Sequence, residues 1–329
     1  MKIDIFPHIL PMKYVEELKK RRKANAFLID LSYSRPLTDI NVRAGYMDRH
    51  PDVLQVLTMA LPPLESVLVT PADAIELARI ANDEMAEILN KYPQRFIAAV
   101  ACLPMNDIEA ALKETERAIT RLGFKGIQIF TNIDGEQIGE PRFKPLYELM
   151  AKYDLPIWIH PWNPPISKDY VKDIPNMPET LQKQLFYRFI DRTTGGYVWP
   201  FETALAMKSL AFSGIFEEFP DIKFITHHCG GMVPFFERRI QTLLGGQSAN
   251  LRKFYNDTAV YGSTPALMCG YAFCGADHLV FGTDWPLGGG STPGPMEETI
   301  RSVEGMDILP ADKDKIFYQN AVRLLKINP

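Results

Sequence analysis

Sulfur, excess basic charge and long apolar runs are all scarce in this chain, and each shortage removes a class of function. Only four cysteines occur among 329 residues. Cys102, Cys229, Cys269 and Cys274 are widely spaced, form no CxxC pair and sit in apolar or glycine-rich surroundings. A disulfide framework is therefore not expected, and reduced thiols of this kind point to a cytoplasmic protein. No apolar run reaches the roughly 20 residues needed to cross a bilayer. The first residues enter a strand without the basic region and apolar core of a secretory signal, so neither secretion nor membrane insertion is expected. Thirty-six Lys and Arg against 40 Asp and Glu leave a net charge of −4 and no basic field for nucleic acid. The one basic run, Lys19-Lys20-Arg21-Arg22-Lys23, reads as a solvated helix face or turn. Neither GxxxxGK(S/T) nor GxGxxG occurs, so the glycines after Cys229 are not a phosphate loop.

What is present is a large apolar content, 46%, arranged in a regular alternation. Short hydrophobic runs recur near 2–6, 53–58, 95–101, 126–130, 156–160, 223–228, 253–258 and 279–284, with helix-period segments between most of them. Ala72 to Lys91 after Pro71, and Ile108 to Leu122 after Asp107, carry apolar residues mostly at three- and four-residue spacing. Eight strands alternating with helices predict an α/β fold, a (β/α)8 barrel, as a single domain over 1–329. The stretch AFLIDLSYS (26–34) predicts a small β insertion near the N-terminus. The proline-containing segment from Pro161 to Thr203 predicts a long cover over the mouth after the fifth strand.

Chemistry concentrates at the ends of these runs. His8 closes KIDIFPH, His160 closes LPIWIH, His227-His228 close IKFITHH and Asp284 closes HLVFGTD. Imidazole and carboxylate groups at the mouth of one barrel suit a divalent ion such as zinc or manganese. A lone terminal histidine is more often structural than a ligand, and it is the set of four strand ends that argues for a site. Asp4 shares a strand face with Phe6 and His8, but reads better as a hydrogen-bonded carboxylate inside the barrel. Because strand side chains alternate, only one of His227 and His228 is expected to face the centre. We favour His228, with His227 packed or hydrogen-bonded behind it. Cys229-Gly230-Gly231 is expected to give a tight turn and to leave room for substrate.

At these residues a family resemblance becomes specific. KIDIFPHILP, IHPW, THHCGGMVPFFERRI and FGTDWP, spread from Met1 to about Leu325, resemble the aminocarboxymuconate-semialdehyde decarboxylase branch of the amidohydrolase superfamily (amidohydrolase-related family 2), which also includes γ-resorcylate and 5-carboxyvanillate decarboxylases. The resemblance implies a barrel with one zinc or manganese ion, nonoxidative decarboxylation of a small carboxylic acid, and a homodimer or higher homo-oligomer. It implies His8, His160 and Asp284 as metal ligands, and His228 with Asp284 as the proton-transferring pair. Arg239 and Arg43 correspond to carboxylate-binding arginines, the former reaching a neighbouring subunit. Trp199, in WPFET, belongs to a pocket segment. With Phe6, Trp162 and Trp285 it is the candidate aromatic wall, although any one of the four is more often packing.

The sequence departs from the family at Phe6, which stands where a first histidine or glutamate ligand is found. Three arrangements follow: a two-histidine-one-carboxylate set, a shell closed by a neighbour such as His228, or a site without metal. Three functions follow in turn: a decarboxylase, a metal-dependent hydrolase or hydratase on the same barrel, or a metal-free barrel that binds a small carboxylate or serves a structural role.

Overall fold

The computed structural model describes residues 1–22, 34–59, 62–68, 70–162, 194–287 and 294–328. Eight strand runs follow one another in chain order, every neighbouring pair parallel: β1 (Lys2–Asp4, continued by His8–Ile9), β2 (Val53–Met59), β3 (Phe96–Ala99 and Ala101–Cys102), β4 (Ile127–Phe130), β5 (Ile157–His160), β6 (Phe224–Thr226), β7 (Tyr255–Asp257) and β8 (Leu279–Val280). Backbone hydrogen bonds then carry the last strand's continuation back to the first: Ile5 N–H to Phe281 O at 2.9 Å, Asp284 N–H to Phe6 O at 3.2 Å and His8 N–H to Trp285 O at 2.7 Å. These bonds bring Asp284 beside His8 although 276 positions separate them in sequence.

Helices fill the connections as the punctuation in the sequence requires. Thr70 caps Pro71–Lys91 by accepting from Asp73 N–H, and proline occupies the first helical position, where its missing N–H costs nothing. Asp107 caps Ile108–Thr120 through Ala110 N–H. The apolar faces of these helices, including Leu77, Ala81, Met85, Ala111 and Ala118, pack in one cluster with Leu57, Ile127, Ile129, Ile157 and Ile159 of the strands. A second cluster joins Ile3, Ile5, Phe6, Val56, Ala98, Trp158 and Ile225 to Ala321, Leu324 and Leu325 near the C-terminus. Residues 157 and 159 thus lie in one cluster and 158 in the other, the alternation of a strand. Continued by one step, it turns His160 to the same side as Trp158.

Of the predicted β insertion, all but Ser34 falls outside the described residues, as do 163–193 of the predicted cover. The structure adds a small hairpin after β4. Asn132–Ile133 pairs antiparallel with Glu136–Gln137 around Asp134 and Gly135, both at positive φ, as the Asp-Gly dipeptide favours.

Candidate metal centre

Three buried histidines and one aspartate meet at the C-terminal ends of the strands. His8 Nε2 lies 3.1 Å from Asp284 Oδ1 and 3.4 Å from His227 Nε2. His227 Nε2 lies 3.4 Å from the same Asp284 oxygen. The His160 ring stands 4.9 Å from that of His8 and 5.2 Å from that of His227, centroid to centroid. Among the described residues, His8, His160 and His227 form one group with ligand atoms within 4.8 Å of one another, and His227, His228 and Asp284 form a second.

The far nitrogens set the direction of the near ones. His160 Nδ1 is 2.8 Å from the carbonyl of Pro161, which can only accept, so Nδ1 carries the proton and Nε2 presents a lone pair. That buried Nε2 has no hydrogen-bond partner among the described residues. Thr58 Oγ1 donates to Pro7 O at 2.6 Å and lies 3.4 Å from His8 Nδ1. With its proton committed to the carbonyl, the hydroxyl accepts from Nδ1, and His8 Nε2 also faces inward as a lone pair. Burial keeps both of these histidines below the ordinary imidazole range, His160 well below it. For Asp284, burial opposes the charge, but the imidazoles of His227, His228 and His8 beside it hold it well below the usual carboxylate range. Buried lone pairs around an ionised carboxylate repel unless a cation lies among them, and this donor set fits zinc or manganese.

The adjacent histidines do not alternate as expected. β6 ends at Thr226, His227 is extended (φ −85°, ψ 159°), and His228 at φ 54° and Cys229 at φ 55° begin a left-handed turn. Both rings therefore fall on one side, stacked at 3.9 Å, and the residue expected behind the site, His227, is the fully buried one at its centre. Its Nδ1 hydrogen-bonds Asp257. Burial works against a charge on His227, but Asp257 and Asp284 outweigh it and lift its pKa to about 9. His228 lies nearer the rim, its side chain 10% exposed and its Nε2 3.7 Å from Asp284 Oδ2, with Trp199 parallel to its ring at 6.1 Å. The glycine turn serves packing rather than substrate: a Cβ on Gly231, at φ 59°, would meet Pro200 O at 2.3 Å.

The remaining sequence candidates divide. Phe6 is fully buried and lies flat on the His227 ring at 3.9 Å, so it floors the site. Trp162 and Trp199 are half-buried near its edge, Trp162 6.3 Å from the Phe130 ring and Trp199 5.9 Å from that of His160. Trp285 is no wall of the mouth. It is fully buried, packing with Val53 and Met296 and lying 4.8 Å from the Arg43 guanidinium. Arg43 is corrected likewise: it is fully buried and donates to His8 O at 2.6 Å and to Gln55 Oε1 at 3.0 Å, bracing the strand that carries His8 instead of meeting substrate. Arg239 is exposed on the helix Val233–Leu244, outside the cluster.

A model of the family described as amidohydrolase matches residues 39–327. The chain belongs to the amidohydrolase family. This amidohydrolase is 28% identical to the 2-amino-3-carboxymuconate-6-semialdehyde decarboxylase of Dictyostelium discoideum, over 100% of this chain and 92% of that one. It is 28% identical to a gamma-resorcylate decarboxylase of Rhizobium sp., over 97% and 92%. Among solved structures, it is similar to a dihydroxybenzoic acid decarboxylase from Polaromonas sp. with bound manganese and the inhibitor 2-nitroresorcinol. The TM-score is 0.79 with 26% identity, covering 100% of this chain and 97% of that one. The barrel architecture is shared with these structures.

Two residues of the amidohydrolase site were not singled out from the sequence. Asp257 ends β7 as Asp284 ends the segment after β8, so a strand finishing in a carboxylate was the available signal. Tyr261, whose hydroxyl donates to Asp284 Oδ2 at 2.7 Å, had none, because it arrives from a loop.

Proposed function

We propose that this protein catalyses metal-dependent, nonoxidative decarboxylation of an aromatic or unsaturated carboxylic acid of the hydroxybenzoate or muconate kind. The observation that carries the reading is the convergence of His8, His160 and Asp284 at the strand ends of a chain that aligns end to end with named decarboxylases. His8, His160 and Asp284 would hold the ion. Manganese is favoured by the solved relative and zinc remains suited to the donors. When bound, the ion supplies a Lewis acid for the substrate carboxylate and a neighbouring hydroxyl or enol oxygen.

The chain's own groups do the rest. Trp162 and Trp199 flank the entrance as aromatic surfaces for a planar substrate. His228 and Asp284, 3.7 Å apart at the rim, form the proton-carrying pair, and the Tyr261 hydroxyl orients the Asp284 oxygen that faces His228. A proton is delivered to the carbon bearing the carboxylate and the bond to that carboxylate breaks. Its electron pair returns to the ring or alkene, carbon dioxide leaves, and the product carries hydrogen at the vacated carbon. We further propose one barrel domain over 1–329 and a homodimer or higher homo-oligomer. The helix of Arg239 exposes Phe235, Phe236, Leu243 and Leu244, and an apolar patch of that kind suits a subunit contact.

The test is incubation of the manganese- or zinc-loaded protein with 2,6-dihydroxybenzoate, related hydroxybenzoates and muconate-type acids in deuterated water. Carbon dioxide release with one deuterium at the vacated carbon, and no label in the product of a parallel incubation in oxygen-labelled water, is the expected result. Solvent oxygen in the product without carbon dioxide would replace decarboxylation by hydrolysis or hydration.

A further inference from the structure

We propose that His227 is a metal ligand in its own right, so that the ion is held by His8, His160, His227 and Asp284, with Asp257 as the group that orients the added histidine. The inference rests on the reading of this cluster as a metal centre. His227 is presented as the other two ligand histidines are. In each, Nδ1 is tied to an acceptor outside the cluster: Thr58 Oγ1 for His8, Pro161 O for His160 and the Asp257 carboxylate for His227. Each is fully buried, and the Nε2 atoms of His8 and His227 approach to 3.4 Å. Two imidazole nitrogens at that distance, both beside Asp284 Oδ1, share one focus. A carboxylate behind a histidine that points at a metal is a recurrent arrangement, because it fixes the ring and strengthens the opposite nitrogen as a donor.

The position is also locked. Phe6 lies on one face of the His227 ring at 3.9 Å and 15°, and His228 lies on the other at 3.9 Å and 24°. Asp257 is itself held, its second oxygen accepting from Cys229 N–H at 3.0 Å and Ala259 N–H at 3.1 Å. Phe6, which has no donor atom, thus becomes the support of a ligand supplied by the residue that follows β6. His228 differs on every count: it sits at positive φ, its side chain reaches solvent, and its buried Nδ1 has no acceptor among the described residues to set the ring.

The experiment is a count of histidine nitrogens on manganese(II), by electron spin-echo modulation of the loaded, histidine-labelled protein. The same sample series serves for manganese affinity against a chelator. Three histidine nitrogens are expected in the wild type and in His228→Gln, and two in His227→Gln. Asp257→Asn should weaken manganese binding about 10- to 100-fold, and His227→Gln should weaken it more. Two nitrogens in the wild type, or three retained in His227→Gln, would overturn the assignment while leaving the metal centre standing. A wild-type protein that does not take up manganese would overturn both. If His227→Gln melts early in circular dichroism, the wild-type count and the Asp257→Asn affinity decide alone.

Discussion

Two buried polar clusters touch the first strand of the barrel, and they are built to opposite ends. In the first, Asp4 accepts from Thr283 Oγ1 at 2.6 Å, from Thr283 N–H at 3.1 Å and from Phe6 N–H at 3.3 Å. Gln55 bridges it to Arg43, which grips the carbonyl of His8. Donors there mostly face acceptors, with Arg43 Nη2 alone in this cluster lacking a hydrogen-bond partner among the described residues, and burial lifts Asp4 to about 7 and lowers Arg43 to about 9, so each group's charge is held weakly. In the second cluster, the Nε2 lone pairs of His8 and His160 and the Asp284 carboxylate face one focus, and His160 Nε2 finds no partner among the described residues. A buried polar group that is satisfied stabilises position, whereas one left facing its own kind reserves a place for a ligand. Arg43 resembles a substrate-binding arginine in sequence and is a brace in the fold because it belongs to the first cluster.

Substitutions can separate the two. The largest effect is expected for Asp284→Asn, which removes the carboxylate from the second cluster. Product formation should fall by at least about 1,000-fold, within the span assigned to acid–base groups, and turnover near the wild-type rate would remove Asp284 from proton transfer. Arg43→Met strikes the first cluster. It should lower stability by about 3 kcal/mol, since it leaves Gln55 Oε1 and the His8 carbonyl short of a donor in a buried site and removes the positive charge near Asp4. A denaturant titration with an unchanged midpoint would show the brace to be dispensable.

Glu65 supplies a contrast, a buried carboxyl in neither cluster. One of its oxygens has no partner among the described residues, and burial chiefly raises its pKa from 4.5 to about 8. Its folded-state value is raised, so its contribution is fully present below about pH 4.5 and is lost as pH climbs toward 8. Glu65→Gln should therefore gain on the wild type between these limits, by on the order of 4 kcal/mol at pH 8. Melting curves whose difference stays flat across that range would refute the assignment of the slope. The smallest effect is expected for Tyr261→Phe, at the rim of the second cluster. Losing one hydrogen bond to Asp284 should cost about 1 kcal/mol, or roughly five- to tenfold in kcat/KM, and kinetics indistinguishable from wild type would place the tyrosine outside the reaction.

Much of this was legible in the sequence because strand ends are local events. Each of the eight hydrophobic runs overlaps a strand of the barrel, and the two expected helices begin at Pro71, after the Thr70 cap, and at Ile108, after the Asp107 cap. His8, His160 and Asp284 stand out as polar groups that halt an apolar run, and the structure brings them together. His227 was misplaced because the alternation rule holds only while the strand lasts, and the strand ends one residue earlier. The rule could not register the left-handed turn at His228 and Cys229, which puts both rings on one side. Arg43 and Trp285 were misassigned because residue type carries no direction: an arginine and a tryptophan near a site can face it or hold up its wall.

The order of residues alone therefore determines the alternating barrel pattern, the strand ends that carry ionisable groups and the absence of a long apolar run, since all three follow from patterns spanning a few residues. Only the tertiary structure decides which of those groups share a focus. Closing β8 onto β1 sets Asp284 beside His8, Asp257 aims His227 from the neighbouring strand, and Phe6 lies flat beneath that ring. Those contacts join positions tens to hundreds of residues apart, and they arise from the packing of the barrel, which no local pattern records.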